Sequence, residues 1–248
     1  MSSGGAGATA RWWPAMLLAV AVSFVALTAV VATSDAVPSA DLTVARWVQG
    51  VDFPGWTGLL HLAAYLTDKP AGPAVVGALV LALWLRRLAT EVIVLGIAQS
   101  LYVPQLLLKQ LVQRPRPTED LISITEVGEG FAFPSGHMTL SIALYGTVAM
   151  IAVARLAPGW RRNTILVACS TILTLSAISR PTFGAHWPSD ALGSVLLGSV
   201  WLFAISRLYR GLRRPGGLPR PLRRPLALAE SLVVGTTPQR LARRLRRA

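Results

Sequence analysis

The sequence predicts an all-α membrane protein, a bundle of six transmembrane helices with both termini in the cytoplasm. Hydrophobic residues make up 53% of the 248 residues, and the mean hydropathy is +0.53, which is typical of an integral membrane protein. The apolar residues fall into six runs, several of them close to the ~20 residues that cross ~30 Å of hydrocarbon. Pairs of arginines lie in two alternate connections between these runs, as the positive-inside rule predicts for cytoplasmic loops. The basic residues at 109–116 and Arg180 break that rule, as a catalytic use would require.

The first apolar run covers residues 14–33. It predicts a retained first span, because the apolar core of a cleaved signal peptide is usually shorter. Residues 34–70 are mixed and contain several Trp, so they predict a loop with a short interfacial helix whose Trp side chains lie at headgroup depth. Cys169 falls in a later apolar run and is interpreted as a small buried hydrophobe. As the single cysteine it excludes an intrachain disulfide. Five further apolar runs lie at roughly 71–85, 90–108, 138–156, 164–178 and 191–205.

The arginines also predict the orientation. Arg11, the pairs Arg86-Arg87 and Arg161-Arg162, and the segment after the sixth run are all assigned to the cytoplasm. The connections at 109–137 and 179–190 then lie together on the extracytoplasmic face. The predicted organisation is a cytoplasmic segment (1–13), a six-span domain (14–210) and a basic cytoplasmic tail (211–248).

Most of the charge belongs to the tail. From Arg207 to Ala248 there are twelve arginines and one acidic residue, which account for +11 of the net charge of +13. The rest of the chain offers no basic face, so no nucleic-acid partner is expected. Two interpretations of the tail stay open, a solvated segment that fixes topology and a segment that binds the anionic inner leaflet at about 1 kcal/mol per Arg.

Three polar islands interrupt the apolar pattern at the predicted outer face. Ionisable groups near the hydrocarbon are costly, and clusters of them indicate a functional site. The islands are Lys109-x6-Arg116-Pro117, Pro134-Ser135-Gly136-His137 and Ser179-Arg180-x5-His186-x3-Asp190.

The third island predicts a His–carboxylate pair. Pro188 suits the first turn of a helix, so the sixth span should begin near Trp187. His186 and Asp190 are then one turn apart, and Asp190 can hold one imidazole nitrogen while the other faces a phosphorus atom. The alternative is a His–Asp pair that only closes the start of the helix. Gly184 allows a close approach of the connecting loop.

The second island predicts a helix N-terminus that binds an anion. Ser135 is the expected N-cap, and the backbone N–H of Gly136 stays open to a ligand. His137 at this position can protonate a leaving oxygen.

The first island supplies cations. Lys109 and Arg116 can contact phosphate oxygens from the end of the third span, whereas Arg114 is interpreted as a snorkelling headgroup contact or an additional phosphate ligand. The acidic residues of the following loop fit no metal-binding spacing, so they predict a solvated loop and no metal ion. They are Glu119, Asp120, Glu126 and Glu129.

With its three islands in this order, the chain resembles the type 2 phosphatidic acid phosphatase superfamily of membrane lipid phosphatases, which shares its catalytic core with vanadium haloperoxidases. Every fixed position of that signature is filled between residues 109 and 190. The resemblance implies that His186 is the nucleophile and forms a phosphohistidine, that Asp190 orients it and that His137 is the acid. It implies no metal and no cofactor. The phosphate ligands that it implies are Lys109, Arg116, Ser135, Gly136 and Arg180.

The expected protein is therefore a plasma-membrane lipid phosphatase with its active site on the extracytoplasmic side. Its expected substrate is a lipid phosphate or diphosphate of the cell envelope, with undecaprenyl diphosphate slightly favoured. Phosphatidic acid or phosphatidylglycerol phosphate is the alternative substrate. A non-catalytic lipid-phosphate binder or transporter is the alternative function, and a haloperoxidase-like reaction is disfavoured by the membrane spans. The sequence predicts no oligomeric state.

Overall fold

The computed structural model describes residues 12–34, 36–68 and 70–214, and all regular structure in these ranges is helical. A π-helical segment, Ile142–Gly146, joins the seventh helix to the eighth. The predictions for residues 1–11 and for the tail beyond residue 214 lie outside the described residues. The helices are α1 (Trp13–Thr33), α2 (Ser39–Gln49), α3 (Trp56–Tyr65), α4 (Ala71–Leu85), α5 (Ala89–Gln99), α6 (Tyr102–Val112), α7 (Gly136–Ser141), α8 (Thr147–Arg155), α9 (Trp160–Thr182) and α10 (Pro188–Leu212).

The predicted all-α membrane architecture is confirmed. In the described part of the chain, five helical stretches are long and apolar enough to cross a membrane, namely α1, α5 with α6, α7 with α8, α9 and α10. The second predicted run coincides with α4, which has 15 residues and is shorter than a spanning helix. The count of six spans and the cytoplasmic termini therefore stay predictions.

The segment before α4 is more ordered than the sequence predicted. In place of one interfacial helix it forms two helices, α2 and α3. Leu60 and Ala64 of α3 are buried against Phe183 at the end of α9. Gln49 of α2 donates to the backbone carbonyl of Ser123 at 2.8 Å, so α2 is held on the loop that follows α6.

The two ends of the bundle have different polar contacts. At one end, the buried carboxylate of Glu91 accepts hydrogen bonds from Arg155 Nε at 2.7 Å and from the Tyr209 hydroxyl at 2.5 Å. These contacts tie α5, α8 and α10 together beside the arginine-rich connections. Arg207 lies 5.5 Å from the ring centre of Trp13, so α1 begins at this end too. The three polar islands meet at the opposite end.

Two glycines allow the connections at that opposite end to approach each other. Gly184 has a φ of +69°, and a Cβ there would overlap the backbone of Ser123, which confirms the predicted close approach. A Cβ on Gly193 of α10 would overlap the ring of Phe133. Because both positions admit only hydrogen, the segment around residue 133 and the loop between α9 and α10 pack directly on their neighbours.

Candidate active site

His186 and Asp190 form the centre of the polar cluster. Trp187 is the N-cap of α10 and Asp190 is the third residue of the helix, as the position of Pro188 predicted. Nδ1 of His186 lies 3.4 Å from Oδ2 of Asp190, and that oxygen accepts the backbone N–H of Trp187 at 2.8 Å. Asp190 therefore closes the helix start and also faces the imidazole, while its role in orienting His186 stays a prediction.

Arg116 lies on the other side of the His186 ring. Its Nη1 is 3.3 Å from Nε2 of His186 and donates to the carbonyl of Ala185 at 2.5 Å. Nε and Nη2 donate to the carbonyls of Gly130 at 2.9 Å and of Glu129 at 2.6 Å. One guanidinium thus fixes both the loop that carries His186 and the loop that precedes α7.

The surroundings of His186 favour its neutral form. Burial lowers the pKa of His186 from 6.5 to about 4; the Asp190 carboxylate opposes this effect, while Arg116 and Lys109 add to it. Burial also lowers the pKa of Arg116, with Asp190 acting against the shift and Arg180 in the same direction. The imidazole is therefore an uncharged base at neutral pH, surrounded by cations.

The second island forms the start of α7 beside Asp190. Ser135 is the N-cap by backbone geometry, and its N–H donates to the carbonyl of Asp190 at 3.2 Å. Its hydroxyl makes no capping bond: Oγ is buried and has no hydrogen-bond partner among the described residues. The predicted N-cap position of Ser135 is therefore confirmed, and its buried hydroxyl is left available to a ligand.

His137 and Arg180 each face a carboxylate that the sequence did not assign to the site. Nε2 of His137 lies 3.2 Å from Oδ1 of Asp68, and Nη1 of Arg180 lies 3.2 Å from Oε2 of Glu126. Glu126 was expected to be part of a solvated acidic loop, yet its side chain is only 33% exposed and pairs with a buried arginine. Neither carboxylate has a motif around it, so no local signal could identify it.

Lys109 and Arg180 bring further positive charge to the same end of the bundle. Nζ of Lys109 donates to the carbonyl of Phe131 at 2.6 Å, from the last turn of α6. Arg180 is 2% exposed, and its Nη2 has no hydrogen-bond partner among the described residues. An arginine NH group that is buried and unpaired costs free energy, which an anion at this position would recover.

Arg114 does not lie among lipid headgroups. Its side chain is 5% exposed, and its Nη1 donates to Oδ1 of Asp190 at 2.5 Å. The interpretation as a snorkelling residue is therefore wrong, because the chain folds α2 over this position. Of the predicted site residues, those from all three islands converge here through direct contacts between Arg116 and His186 and between Ser135 and Asp190.

This geometry offers an anion site with a base inside it. Arginine has only donors, so we assign the lone pair of His186 to Nε2, which faces Arg116, and the proton to Nδ1, which lies 3.4 Å from Asp190 without a formed hydrogen bond. Unpaired donors of Ser135 and Arg180 lie in the same cluster. Such an arrangement can hold a tetrahedral oxyanion and attack its central atom.

Comparison with known proteins gives two matches and a family. The sequence profile of the PAP2 superfamily matches residues 88–214. Phosphatidylglycerophosphatase B of Bacillus subtilis (strain 168) is 28% identical over 108 residues, which are 43% of this chain and 52% of that protein. The chain thus spans about half the length of this curated relative.

The fold is also similar to that of a solved structure, the transmembrane PAP2 type phosphatidylglycerolphosphate phosphatase from Bacillus subtilis. The TM-score is 0.67 at 21% sequence identity, and the match covers 80% of this chain and 98% of that chain. At this identity the likeness concerns the fold.

Proposed function

The chain belongs to the PAP2 superfamily, and from this premise we propose that it is a multi-pass membrane lipid phosphatase that works through a phosphohistidine at His186. The observation that carries the proposal is the environment of this imidazole. Nε2 lies 3.3 Å from Nη1 of Arg116 and Nδ1 lies 3.4 Å from Asp190. The nucleophilic lone pair therefore points to the place where cations would hold a phosphate.

In the first step, Nε2 of His186 attacks the phosphorus of the lipid phosphate. A P–N bond forms while the bond between phosphorus and the lipid oxygen breaks. The equatorial oxygens gain negative charge, which Arg116, Arg180 and the N-terminus of α7 would stabilise. Lys109 and the Ser135 hydroxyl complete the proposed phosphate ligands together with the Gly136 amide. His137 gives its proton to the leaving oxygen.

In the second step, water attacks the phosphohistidine. His137, now neutral, takes a proton from this water, the P–N bond breaks, and inorganic phosphate leaves. Nδ1–H of His186 keeps its proton throughout, and the Asp190 carboxylate stabilises the positive ring while phosphorus is attached. All charge stabilisation in this scheme comes from protein groups, so no divalent metal is required.

Phosphatidylglycerophosphate is the first lipid to test, because both relatives are named for it. A second observation favours it over undecaprenyl diphosphate. A cleft of about 390 Å³ is lined by His61, Tyr65, Asp68 and Glu126, and Asp68 contacts the proposed acid His137. The Asp68 carboxylate there can accept hydrogen bonds from glycerol hydroxyls, whereas both carboxylates repel the second phosphate of a polyprenyl diphosphate.

We place the active site at the extracytoplasmic face of the plasma membrane. The support is the arginine pattern: the connections that hold Arg86 and Arg161 lie at the end of the bundle opposite the His186 cluster. We further propose that the basic tail binds anionic lipids of the inner leaflet. Truncation after Arg214 should leave turnover in detergent intact and remove a preference for anionic lipid in liposomes.

The test of the proposal is phosphate release by the purified protein in mixed micelles that contain EDTA. Phosphatidylglycerophosphate, phosphatidic acid and undecaprenyl diphosphate are compared side by side, and acid-labile, base-stable phosphoenzyme is trapped from the best substrate. His186→Ala should abolish both signals while the variant still unfolds cooperatively. A protein that binds lipid phosphate without turnover would instead be a binder or transporter, and a strict need for added metal would contradict the mechanism.

A further inference from the structure

A second buried carboxylate, Asp41 of α2, lies behind the His186–Asp190 pair. Nη2 of Arg114 is 2.6 Å from Oδ2 of Asp41, and Nη1 is 2.5 Å from Oδ1 of Asp190. All three side chains are at most 5% exposed. One guanidinium therefore bridges two carboxylates away from water.

Asp41 has further bonds that fix its direction. Its Oδ1 accepts the backbone N–H of Ser189 at 2.8 Å, and its Oδ2 accepts the Ser189 hydroxyl at 2.6 Å. The same hydroxyl oxygen accepts from Nη1 of Arg114 at 2.7 Å. Asp41 also lies in the first turn of α2, where the helix dipole favours a negative charge. The carboxylate is thus bonded to the turn of α10 that carries Asp190.

The charges of this cluster do not cancel. Asp41 and Asp190 supply two negative charges and Arg114 supplies one positive charge, in surroundings where water cannot screen them. If Arg114 paired with Asp190 alone, the pair would be neutral and would stabilise a positive charge on the imidazole only weakly. Because Asp41 shares the guanidinium, a net negative charge remains on the Asp190 side of His186, where Nδ1 faces the carboxylate, opposite Arg116.

We propose that Asp41 is a positioning residue for phosphoryl transfer, acting on His186 through Arg114 and Asp190; this inference rests on the proposed function. When Nε2 of His186 bonds to phosphorus, the ring becomes positively charged while Nδ1 keeps its proton. The excess negative charge that Asp41 provides stabilises that ring. Asp41 is not one of the proposed phosphate ligands. We therefore expect its charge to stabilise the transition state and to contribute little to substrate binding.

The experiment uses Asp41→Asn in the full-length protein, a change that keeps the shape and removes the charge. We expect kcat to fall about 10- to 100-fold, the range known for groups that orient the ligands of a catalytic metal, with KM within about twofold of wild type. Vanadate can form a bond to Nε2 and mimics the trigonal-bipyramidal phosphorus. Its inhibition constant should weaken by the same factor as kcat, while that of inorganic phosphate stays unchanged.

Gln49→Ala is the matched control. It removes the bonds from α2 to the carbonyls of Ser123, in the loop after α6, and of Pro181, at the end of α9, and leaves Arg114 untouched. An equal loss in Gln49→Ala, or a lower kcat with unchanged vanadate inhibition, would mean that Asp41 only holds α2 in place and would overturn the inference. Wild-type kinetics in Asp41→Asn would overturn it as well.

Two further measurements keep the inference testable. If Asp41→Asn does not fold, Asp41→Ser replaces it, because this change also removes the charge and leaves a hydroxyl facing Ser189; a parallel loss of kcat and vanadate affinity supports the inference, and its absence contradicts it. Vanadate affinity is also measured directly by titration without substrate. A wild-type protein that binds vanadate but hydrolyses no lipid would contradict the proposed function, while the ratio of vanadate affinities still tests Asp41.

Discussion

Nε2 of His186 lies 3.3 Å from Nη1 of Arg116, and the same Nη1 donates to the carbonyl of Ala185. The guanidinium therefore holds the backbone next to the imidazole and faces the lone pair that would attack phosphorus. Because arginine cannot accept a hydrogen bond, the contact selects the tautomer with the proton on Nδ1. Substrate binding would replace this contact by a phosphate between the two groups.

The low pKa of His186 predicts an enzyme that stays active in mild acid. Only the neutral imidazole can attack, so kcat/KM should fall as pH drops through about 4, the folded-state value, and not near 6.5. The measurement is kcat/KM between pH 3.5 and 7 with two lipids whose phosphates ionise differently. If kcat/KM falls at the same pH for both lipids, the titrating group belongs to the enzyme. A fall centred near pH 6.5 for both lipids would contradict a buried, neutral His186.

Arg116→Lys should lower kcat/KM by about 10²- to 10³-fold, the cost of losing a donor to a developing oxyanion. Lysine keeps the charge but cannot hold the three carbonyls of Ala185, Gly130 and Glu129 in one plane. Arg161→Lys, at the opposite end of the bundle, is the control and should behave as wild type. Activity close to wild type in Arg116→Lys would show that only the charge matters.

Glu126→Gln should tighten substrate binding. Without substrate, the Glu126 carboxylate pairs with Arg180 at 3.2 Å, and a bound phosphate must displace it. Removing this charge should lower KM roughly two- to fivefold, which corresponds to the free energy of a partly exposed ion pair. The gain should be largest for undecaprenyl diphosphate, whose second phosphate no longer meets this charge. Asp120→Asn, in the same loop, controls for net charge. A higher KM in Glu126→Gln would instead make Glu126 a substrate ligand.

Glu91→Ala should destabilise the protein by about 1–3 kcal/mol, because it leaves the buried Tyr209 hydroxyl without its partner. Arg155 is partly exposed and can turn to water, which limits the loss. The thermal or denaturant midpoint in detergent measures the effect, with Glu119→Gln as the exposed control. Turnover well below the midpoint should stay near wild type, since the cluster lies far from His186; loss of activity in a folded variant would contradict that separation.

The sequence predicted those parts of the molecule that depend on neighbouring residues. The start of α10 follows from Trp187 and Pro188, and the end of α6 near Lys109 follows from the prolines after it. The three islands converge because each closes or opens a helix at the same end. The pairing of His186 with Asp190 was expected for the same local reason, a spacing of one helical turn.

The contacts that were missed join residues far apart in the chain. Asp41 and Ser189 are separated by 148 positions, and neither is a fixed position of a motif. Asp68 and Glu126 reach the site because α3 and the loop after α6 pack against it. The hydrophobic periodicity of the sequence does not predict this packing. Ser135 was predicted as the N-cap of α7, but its position alone did not reveal that tertiary packing leaves its hydroxyl buried and unpaired. Charged loop residues usually face water, so only the fold could reveal these partners.

The position of α2 also predicts that the rate of the reaction depends on the lipid environment. Trp47 is 70% exposed on this helix, whereas Asp41, on the same helix, is buried against Arg114. When Trp47 lies at the headgroup depth that the sequence predicts, a curved micelle and a flat bilayer exert different forces on α2. The turnover number in detergent should then differ from that in nanodiscs, even at equal substrate mole fraction, because the position of α2 determines the contact of Asp41 with Arg114.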